Sequence, residues 1–528
     1  MTSSVQVFPD LRALVIEHSN PPTVLQMIPT AFSLGGNKIG MPHGVDETIR
    51  LGMLQINVPS PILHYYNWPR EKNRWPNPFD HQKVTAAFMV SNPHAFVLND
   101  IGSSKTGTSC WAADFLLENK IAHRVLVIAP LSTLERVWGD TLFTHFTHRT
   151  FSVLHGTADK RRRLLAQPKD LYIINHDGIQ VIQKELAARD DIDVVIIDEI
   201  ATLRNKNTGA WKAIEALIYP TKGKPKSWVW GLTGAPTPNA PTDAYAQCRL
   251  ISPSVVPKFF GQFRPMVMSH TSLYKWVPRP EAMDVVYKVM RPSIRFKRSD
   301  CIDLPETTYQ TRDVELSADQ TRHIKELTRQ LYTEVEGEKV TAVNEGVKLS
   351  KLLQVAGACV YDSNGAPHEI DPGTRLKVLM EVIEEAGGKV LVFLPFIEMT
   401  GMVARELGKY WETAIVNGDV SIKERNEIFS RFQDEKSDLE IIVAHPKTMA
   451  HGLDLTAASA VVWWTSIFSN DLYTQACGRV TRPGQKRRTC VVNLAGSALE
   501  RKLYKRLEER QKVQGTLLAM IERKENLI

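Results

Sequence analysis

Short apolar runs, each followed by a turn and then by a helical pattern, recur along most of the chain. In the first half, the runs that predict buried strands are Ala95–Leu98, Val125–Ala129, Leu171–Ile174, Val194–Ile197 and Ser227–Leu232. Short continuous runs that alternate with helices are typical of a parallel sheet covered on both faces. This pattern predicts an α/β domain over residues 79–255.

The same alternation restarts near Asp371. An amphipathic helix is predicted over Arg375–Ala386 and ends at Gly387. The strands predicted after it are Lys389–Leu394, Ala414–Val416, Glu440–Ala444, Ala460–Trp464 and Thr489–Leu494. The pattern therefore predicts a second α/β domain over residues 371–528.

Two further segments lack this alternation. Residues 256–370 are basic and interrupted by prolines, with a helix predicted over Ser317–Val335, and we interpret them as an insert and linker. Residues 1–78 contain Pro-rich turns and short strands, which predict a small accessory domain.

Composition narrows the class of protein. The chain has 528 residues, with 43% hydrophobic and 23% charged positions, which is ordinary for a globular protein of several domains. Its net charge of +7 permits a nucleic-acid partner without requiring one. The six cysteines are far apart, which argues against a disulfide scaffold or a Cys-rich zinc site.

Membrane and secreted proteins are excluded on sequence grounds. No apolar run approaches the roughly 18 residues of a membrane-spanning helix. Residues Met1–Arg12 lack the basic-then-apolar order of a secretory signal. We therefore expect a cytoplasmic protein that makes no membrane contact.

The turn after the first strand carries a candidate phosphate-binding loop, N-D-I-G-S-S-K-T, from Asn99 to Thr106. A loop between strand and helix directs backbone N–H groups and the positive helix end at an anion. The residues placed against the phosphates of ATP are Gly102, Ser103, Ser104 and Lys105, and Thr106 can bind Mg²⁺. The loop departs from G-x-x-x-x-G-K-[ST], because serine stands at 104 and asparagine at 99. Taken alone, such a string is more often an ordinary loop.

Two adjacent carboxylates change that interpretation. Asp198 and Glu199 follow the apolar strand Val194–Ile197. In this arrangement Asp198 would hold Mg²⁺, and Glu199 would orient and deprotonate the attacking water. An acidic turn after a strand is common, but the Lys-Thr loop upstream favours an ATP site.

Three further segments carry a family resemblance. Gly231–Asn239 resembles the L-T-G-[TA]-P-x-x-N element of helicase superfamily two, specifically its Swi/Snf-type branch. Gly452–Ala458 resembles that branch's G-L-[ND]-L-T-A-A, and Gln475–Gln485 matches Q-A-x-x-R-x-x-R-x-G-Q throughout. The resemblance covers roughly residues 79–500 and is strongest to compact phage or bacterial members.

Weaker stretches align in the same order. Phe79–Gln82 resembles the adenine-reading glutamine motif, and Ala129–Leu134 with Trp138 resembles the first DNA-contact motif. Ile294–Arg298 resembles the brace between the two lobes.

The resemblance implies an α/β fold of two tandem RecA-like parallel-sheet lobes, with a helical and irregular insert between them and a small N-terminal accessory domain. It implies an ATP hydrolase that uses Mg²⁺ and acts on duplex, forked or branched DNA without reading its sequence. The implied catalytic residues are Lys105, Glu199, Arg479 and Arg482, and the second lobe's Gly452 and Asp454 join Gln82 in nucleotide binding.

Arg482 is implied to be an arginine finger and Arg479 a γ-phosphate contact. They are three positions apart, so on a helix they would share a face. Small hydroxyls and backbone N–H groups bind DNA phosphates without reading bases. The implied DNA contacts are Ser132, Thr133, His176, Asp177, Thr448 and Thr456.

Some features have competing explanations. Trp463 and Trp464 end an apolar strand, which favours core packing over base stacking. The basic runs Lys160–Arg163 and Lys222–Lys226 are either DNA contacts or solvated faces. The aromatic and basic segment Tyr65–Trp75 would either stack on unpaired bases or pack on the first lobe.

Two other functions remain open. Ser104 could crowd the phosphates and leave a nucleic-acid-binding scaffold without ATPase activity. An RNA helicase would share the fold, although the motif at Gln475–Gln485 is a poor match to RNA helicases.

Overall fold

The computed structural model describes residues 4–68, 78–100, 102–220, 225–272, 275–297, 307–335, 350–361, 366–449, 455–481, 485 and 487–507. The described residues up to 297 form one compact unit, and those from 307 onwards form a second. Arg482, Gly452 and Asp454 lie outside the described residues, as do residues 69–77 of the aromatic segment and residues 221–224 of the second basic run.

The first unit begins with a small antiparallel sheet. Its strands are β1 (Val5–Phe8), β2 (Ala13–Glu17), β3 (Phe32–Gly35) and β4 (Lys38–Pro42), in the order β1-β2-β4-β3. Helices Pro21–Met27 and Val45–Met53 accompany it. Side chains such as Leu14, Ile39 and Leu51 form a separate core, so this segment has a fold of its own.

The rest of the first unit is built on a seven-stranded sheet. Its strands are β5 (His94–Val97), β6 (Arg124–Ala129), β7 (Phe151–Val153), β8 (Leu171–Asn175), β9 (Ile192–Asp198), β10 (Trp228–Leu232) and, after the hairpin β11 (Met268–Ser272) and β12 (Lys275–Pro278), β13 (Ser293–Ile294). All seven are parallel, in the order β13-β5-β10-β9-β6-β8-β7. Each of the five predicted runs lies on a strand, and β7 and β13 are additional.

Helices cover both faces of this sheet. On β5, Phe96 packs in one core cluster with Trp211, whereas Val97 packs in another with Trp111. Adjacent strand residues point to opposite faces, so both faces are buried, as the continuous apolar runs predicted. The α-helices after the N-terminal segment are Ile62–Tyr65, Asp80–Ser91, Lys105–Glu118, Asp140–His145, Ala158–Ala166, Gly178–Val181, Gln183–Ala187, Gly209–Ile218, Ala244–Ile251, Phe260–Val267 and Ala282–Val289.

The second unit is built on a six-stranded parallel sheet. Its strands are β14 (Thr307–Asp313), β17 (Lys389–Phe393), β18 (Thr413–Val416), β19 (Ile441–Ala444), β20 (Ala458–Trp463) and β21 (Thr489–Ala495), and a separate hairpin joins β15 (Cys359–Tyr361) to β16 (Pro367–Glu369). The order is β14-β21-β20-β17-β19-β18. The sheet therefore contains the five predicted strands and, at one edge, β14 from the predicted linker.

Helices also cover the second sheet. They are Ala318–Val335, residues 350–356, Thr374–Ala386, Ile397–Leu407, Ile422–Gln433, Pro446–Met449, Asn470–Cys477 and residues 498–507. The predicted core position of the tryptophan pair is confirmed, because Trp463 and Trp464 are fully buried. The indole N–H of Trp464 donates to the Gly357 carbonyl at 2.9 Å.

A buried ion pair joins the helix Thr374–Ala386 to the helix of residues 498–507, which follows β21. Arg375 Nη2 lies 2.9 Å from Glu500 Oε2, and both side chains are fully buried. The hydroxyl of Thr465 donates to the other carboxylate oxygen at 2.6 Å, and the backbone N–H of Gly496 donates to Oε2. Such a pair is stable only while both partners and their hydrogen bonds remain.

The two α/β units confirm the predicted fold class. The four predicted domain boundaries stay a prediction. None of the helices among the described residues combines the length and apolar character needed to cross a membrane.

Candidate ATP site

The predicted phosphate loop connects β5 to the helix Lys105–Glu118. Gly102 has a φ of 86°, and Ser104, directly before the helix, has φ 58° and ψ 42°. Both therefore lie in the left-handed region, which glycine adopts freely and other L-residues adopt at a cost. The loop thus has the conformation that a second glycine would favour, although a serine stands there.

The Lys105 side chain turns back over the loop. Its ammonium donates to the carbonyls of Asn99 at 2.8 Å and Asp100 at 3.1 Å. Asn99, which replaces the first glycine, is buried, and its amide holds the loop by donating to Thr85 Oγ1 and accepting from the Phe296 N–H. The asparagine therefore fixes the start of the loop from inside the fold.

The segment that resembles a brace lies against the same loop. Ile294 ends β13, which pairs with β5, and Arg295 Nη2 lies 2.8 Å from Asp100 Oδ1. Arg295 is buried while Asp100 is partly exposed. This segment thus supports the loop within the first unit.

Asp198 ends β9, and its carboxylate is held by two donors. The indole N–H of Trp138 donates to Oδ2 at 3.0 Å, and the backbone N–H of Glu199 donates to Oδ1 at 3.1 Å. Burial raises the pKa of Asp198, and the Trp138 hydrogen bond, the Lys105 charge and His176 oppose that rise. The Lys105 charge thus acts on Asp198, as expected when a phosphate-binding lysine and a magnesium carboxylate follow strands of the same sheet.

Glu199 follows in a strained conformation. Its φ of 49° and ψ of 49° lie in the left-handed region, and residues held there often belong to functional sites. Thr233, from the L-T-G segment after β10, has its hydroxyl 3.5 Å from Glu199 Oε2. The predicted base thus lies beside a second motif of the same sheet edge.

Three buried polar atoms in and beside the phosphate loop have no hydrogen-bond partner among the described residues. They are Gln82 Nε2, His81 Nε2 and Ser103 Oγ. The Ser103 backbone bonds to His81, so the helix Asp80–Ser91 begins beside the phosphate loop. Buried polar groups without partners are uncommon, and a nucleotide would supply donors and acceptors to them.

Gln82 differs from its expected use in one respect. Its Oε1 already accepts from the Phe79 N–H at 2.9 Å, so Gln82 caps the helix. Its side chain is buried rather than at the surface. The amide N–H₂ remains as the donor for an adenine ring.

The predicted DNA contacts of the first unit follow neighbouring strands. Ser132 and Thr133 come after β6, and His176 and Asp177 come after the adjacent β8. Ser132 and Asp177 are exposed, whereas the Thr133 hydroxyl is buried and donates to the Pro130 carbonyl at 2.9 Å.

His176 bonds to the backbone of Asp198. Its Nε2 lies 2.9 Å from the Asp198 carbonyl, and burial lowers its pKa, so a neutral ring donates there. One of its nitrogens is therefore used inside the ATP site.

The candidates of the second unit are dispersed. Thr448 follows the carboxyl end of β19, while Thr456 precedes the amino end of β20. The two strands run parallel within one sheet, so these residues lie near opposite ends of its strands. The Thr448 hydroxyl donates to the His445 carbonyl at 2.7 Å, and Thr456 Oγ1 accepts from Gln433 at 3.3 Å.

The expected helical face for the arginine pair is wrong. The helix Asn470–Cys477 ends two residues before Arg479, which lies in the following turn. Arg479 is buried, and its carbonyl accepts from the Leu455 N–H at 3.1 Å. Gly478 caps the helix: its N–H still bonds to the Thr474 carbonyl, whereas the next N–H, of Arg479, bonds to the Ala476 carbonyl only three residues back.

The described part of the aromatic segment packs on the first unit. The Tyr66 hydroxyl donates to Asp114 Oδ2 at 2.5 Å, and Trp68 contacts Trp111 edge-on at 5.7 Å. Arg149 also bonds Asp114, which is buried. For residues 65–68, packing on the lobe is therefore the better explanation.

The basic run Lys160–Arg163 is partly structural. Arg161 is buried and donates to the Leu154 carbonyl and to Asn175 Oδ1. Arg162 pairs with Asp159 and Glu185. The side chains of these two arginines therefore bond other residues of the first unit.

Sequence reasoning did not assign Trp138 or Thr233 to the ATP site. Thr233 lies within a segment that carried the family resemblance, so its motif was a usable signal. Trp138 reaches the site only through the tertiary fold, and so do the bonds of the Asn99 amide to Thr85 and Phe296. Among the described residues, no cluster of three or more His, Cys, Asp or Glu is arranged to hold a metal ion.

Comparison with known families covers most of the chain. Residues 58–359 match the SNF2-related domain, and residues 374–484 match the helicase conserved C-terminal domain. A protein named p41 from Acyrthosiphon pisum secondary endosymbiont phage 1 is 20% identical over 481 residues, which cover 85% of this chain and 99% of that protein.

Other relatives are longer. An ATP-dependent helicase of Mycoplasma genitalium is 23% identical over 428 residues, covering 79% of this chain and 39% of the helicase. The chain thus spans less than half of that relative. The solved structure of the Sulfolobus solfataricus SWI2/SNF2 ATPase core in complex with dsDNA is 21% identical, with a TM-score of 0.40 over 84% of this chain and 95% of that one.

Proposed function

The chain belongs to the SNF2-related family, and we propose that it is an ATP-driven motor that moves along DNA. The observation that carries the proposal is that the loop with Lys105 and the half-buried Asp198 follow the carboxyl ends of β5 and β9, two parallel strands of the first sheet. Glu199 follows directly, and the phosphate loop lies at the start of a helix. These are the parts that phosphoryl transfer requires.

In this proposal the loop binds the phosphates of ATP. Backbone N–H groups at the start of the helix Lys105–Glu118 would donate to phosphate oxygens. Lys105 would exchange its bonds to the Asn99 and Asp100 carbonyls for bonds to the β and γ phosphates. Gln82, with its amide nitrogen buried near the loop, would donate to the adenine.

Asp198 and Thr106 supply oxygen ligands of the kind that Mg²⁺ prefers. When bound, Mg²⁺ would neutralise charge on the transferring phosphoryl group. Glu199 would orient and deprotonate the attacking water. The family resemblance also implies roles in nucleotide binding and hydrolysis for four residues of the second half of the chain, namely Arg479, Arg482, Gly452 and Asp454.

The proposed partner is duplex or branched DNA, bound through its phosphates. The segments after β6 and β8 lie on adjacent strands, and their exposed Ser132 and Asp177 offer a hydroxyl and helix-start N–H groups. The hydroxyls and backbone N–H groups of Thr133 and Thr448 donate to the Pro130 and His445 carbonyls, so each threonine would exchange one of these bonds for a bond to a DNA phosphate. We place this activity in the cytoplasm of a bacterium or of a phage-infected host.

Phosphate release measured with single-stranded, duplex, forked and four-way DNA, and with RNA, tests the proposal. The expected result is slow turnover alone and strong stimulation by duplex or branched DNA. Stimulation by RNA only would indicate an RNA helicase. Nucleic-acid binding without turnover would indicate a scaffold whose site is blocked at Ser104.

A further inference from the structure

Trp138 connects two parts of the first unit that the sequence treats as separate. It lies in the π-helical turn Leu134–Gly139, directly after the segment that carries Ser132 and Thr133. Its side chain is fully buried, and its indole N–H donates to Asp198 Oδ2 at 3.0 Å. A fully buried ring has no surface to offer DNA, so its resemblance to a DNA-contact motif does not explain it.

We propose that Trp138 is a positioning residue that fixes the Asp198 carboxylate in the orientation needed for the magnesium–nucleotide complex. Indole N–H is a donor only, so it accepts nothing from the carboxylate and holds one oxygen in a single direction. The Glu199 N–H holds the other oxygen, at 3.1 Å. Together they leave each oxygen with its second lone pair for a ligand.

The location of Trp138 supports this role. A π-helical turn is rare and often occurs at functional sites, because the wider turn redirects a side chain. Here it directs an indole from the turn after β6 to the end of β9, a neighbouring strand in the sheet. Tryptophan is also costly to bury without a partner for its N–H, and the carboxylate supplies that partner.

This inference rests on the proposed function, and nucleotide binding tests it separately from turnover. We would compare Trp138→Phe with wild type, using a fluorescent ATP analogue titrated in Mg²⁺ and again in EDTA. The phenylalanine fills most of the space but lacks the N–H. The expected result is binding weakened about tenfold in Mg²⁺, the worth of a hydrogen bond to a charged group, and unchanged in EDTA.

A matched control and a rescue variant separate positioning from packing. Trp211 is also buried, and its N–H donates to the Ala246 carbonyl at 2.9 Å, so Trp211→Phe makes the same change away from the site. In Trp138→His, ring nitrogen Nε2 takes the place of the indole nitrogen while the six-membered ring is lost. Trp138→His should therefore lower thermal stability more than Trp138→Phe but keep more of the gain in affinity from Mg²⁺.

Each outcome has a clear consequence. Equal binding of wild type and Trp138→Phe in Mg²⁺ overturns the inference, as does a loss that is the same in EDTA or that Trp211→Phe reproduces. If Trp138→Phe fails to fold, a folded Trp138→His without a Mg²⁺ gain also overturns it. Wild-type protein that binds no nucleotide in Mg²⁺ refutes the proposed function itself. DNA affinity without nucleotide should be the same in all folded variants, and its selective loss in Trp138→Phe would return the residue to a DNA role.

Discussion

Replacing Ser104 by glycine tests how this phosphate loop works without its usual second glycine. Ser104 has φ 58° and makes no side-chain hydrogen bond to the helix start. Holding an L-residue in this region costs about 1–2 kcal/mol. Glycine removes that cost but loses about 0.5–1 kcal/mol through its freer unfolded chain. The midpoints of these two ranges differ by about 0.75 kcal/mol, so Ser104→Gly should raise the free energy of unfolding by about this amount.

Thermal unfolding of the nucleotide-free protein measures this gain. For a unit of this size, Ser104→Gly should raise the melting temperature by about 1.5–3 °C. Ser104→Ala keeps the Cβ and the backbone cost while it removes the hydroxyl, so its melting temperature should stay near that of wild type. The DNA-stimulated kcat/KM should be at least as high in Ser104→Gly as in wild type.

The opposite pattern would refute this reasoning. If the serine hydroxyl donates to a phosphate oxygen, both Ser104→Gly and Ser104→Ala should lose kcat/KM to a similar extent. A clear loss in both variants would make the serine a phosphate ligand and would remove backbone strain as the explanation.

Three further changes have defined outcomes. Lys105→Ala should lower ATP turnover by at least about 10²–10³-fold in a phosphate-release assay, since a charge that stabilises the transition state is lost, while DNA affinity changes little; unchanged turnover would place the phosphates elsewhere. Tyr66→Phe should lower the free energy of unfolding in urea by about 1.5–3 kcal/mol, because its hydroxyl bonds the buried Asp114 carboxylate; no change would mean that this bond does not hold the aromatic segment on the first unit. Arg375→Met should cost about 3–5 kcal/mol, because it leaves Glu500 buried without its partner. Burial alone would raise the pKa of Glu500, but Arg375 and the hydrogen bonds hold this pKa below its usual 4.5. The stability that the pair gives to wild type should therefore be lost as the pH falls from 4.5 through the lowered pKa. The same loss on acidification in Arg375→Met would contradict the pairing.

Hydrophobic patterning predicted the two central sheets because their strands are buried on both faces. It did not find β14, whose residues Thr307–Asp313 are polar and mostly exposed. This strand joins the sheet by pairing with β21 along its whole length. The pairing depends on the tertiary fold and does not require an apolar run in the sequence of β14. Edge strands of this kind follow from their neighbour's free hydrogen-bonding groups rather than from their own side chains.

The candidate site divides in the same way. The loop and the carboxylates were predictable because each follows its own strand within a few residues. The bond from Trp138 to Asp198 joins residues far apart in the sequence, so spacing could not indicate it. The helical placement of Arg479 was wrong for a local reason, because the helix ends at Cys477 and Gly478 caps it; the predicted role of Arg479 as a phosphate contact stays a prediction.

The central claim is that Glu199 hydrolyses ATP held by this loop when DNA is bound. The most direct test is a single-turnover experiment with labelled ATP and duplex DNA, which follows the fraction of bound nucleotide that remains ATP. Wild type should convert the bound ATP to ADP. The control variant Glu118→Gln should do the same, because Glu118 is exposed at the far end of the helix Lys105–Glu118 that follows the loop. Glu199→Gln should bind ATP and keep it, because the amide preserves the shape but not the base. Equal conversion by Glu199→Gln and wild type would contradict the account.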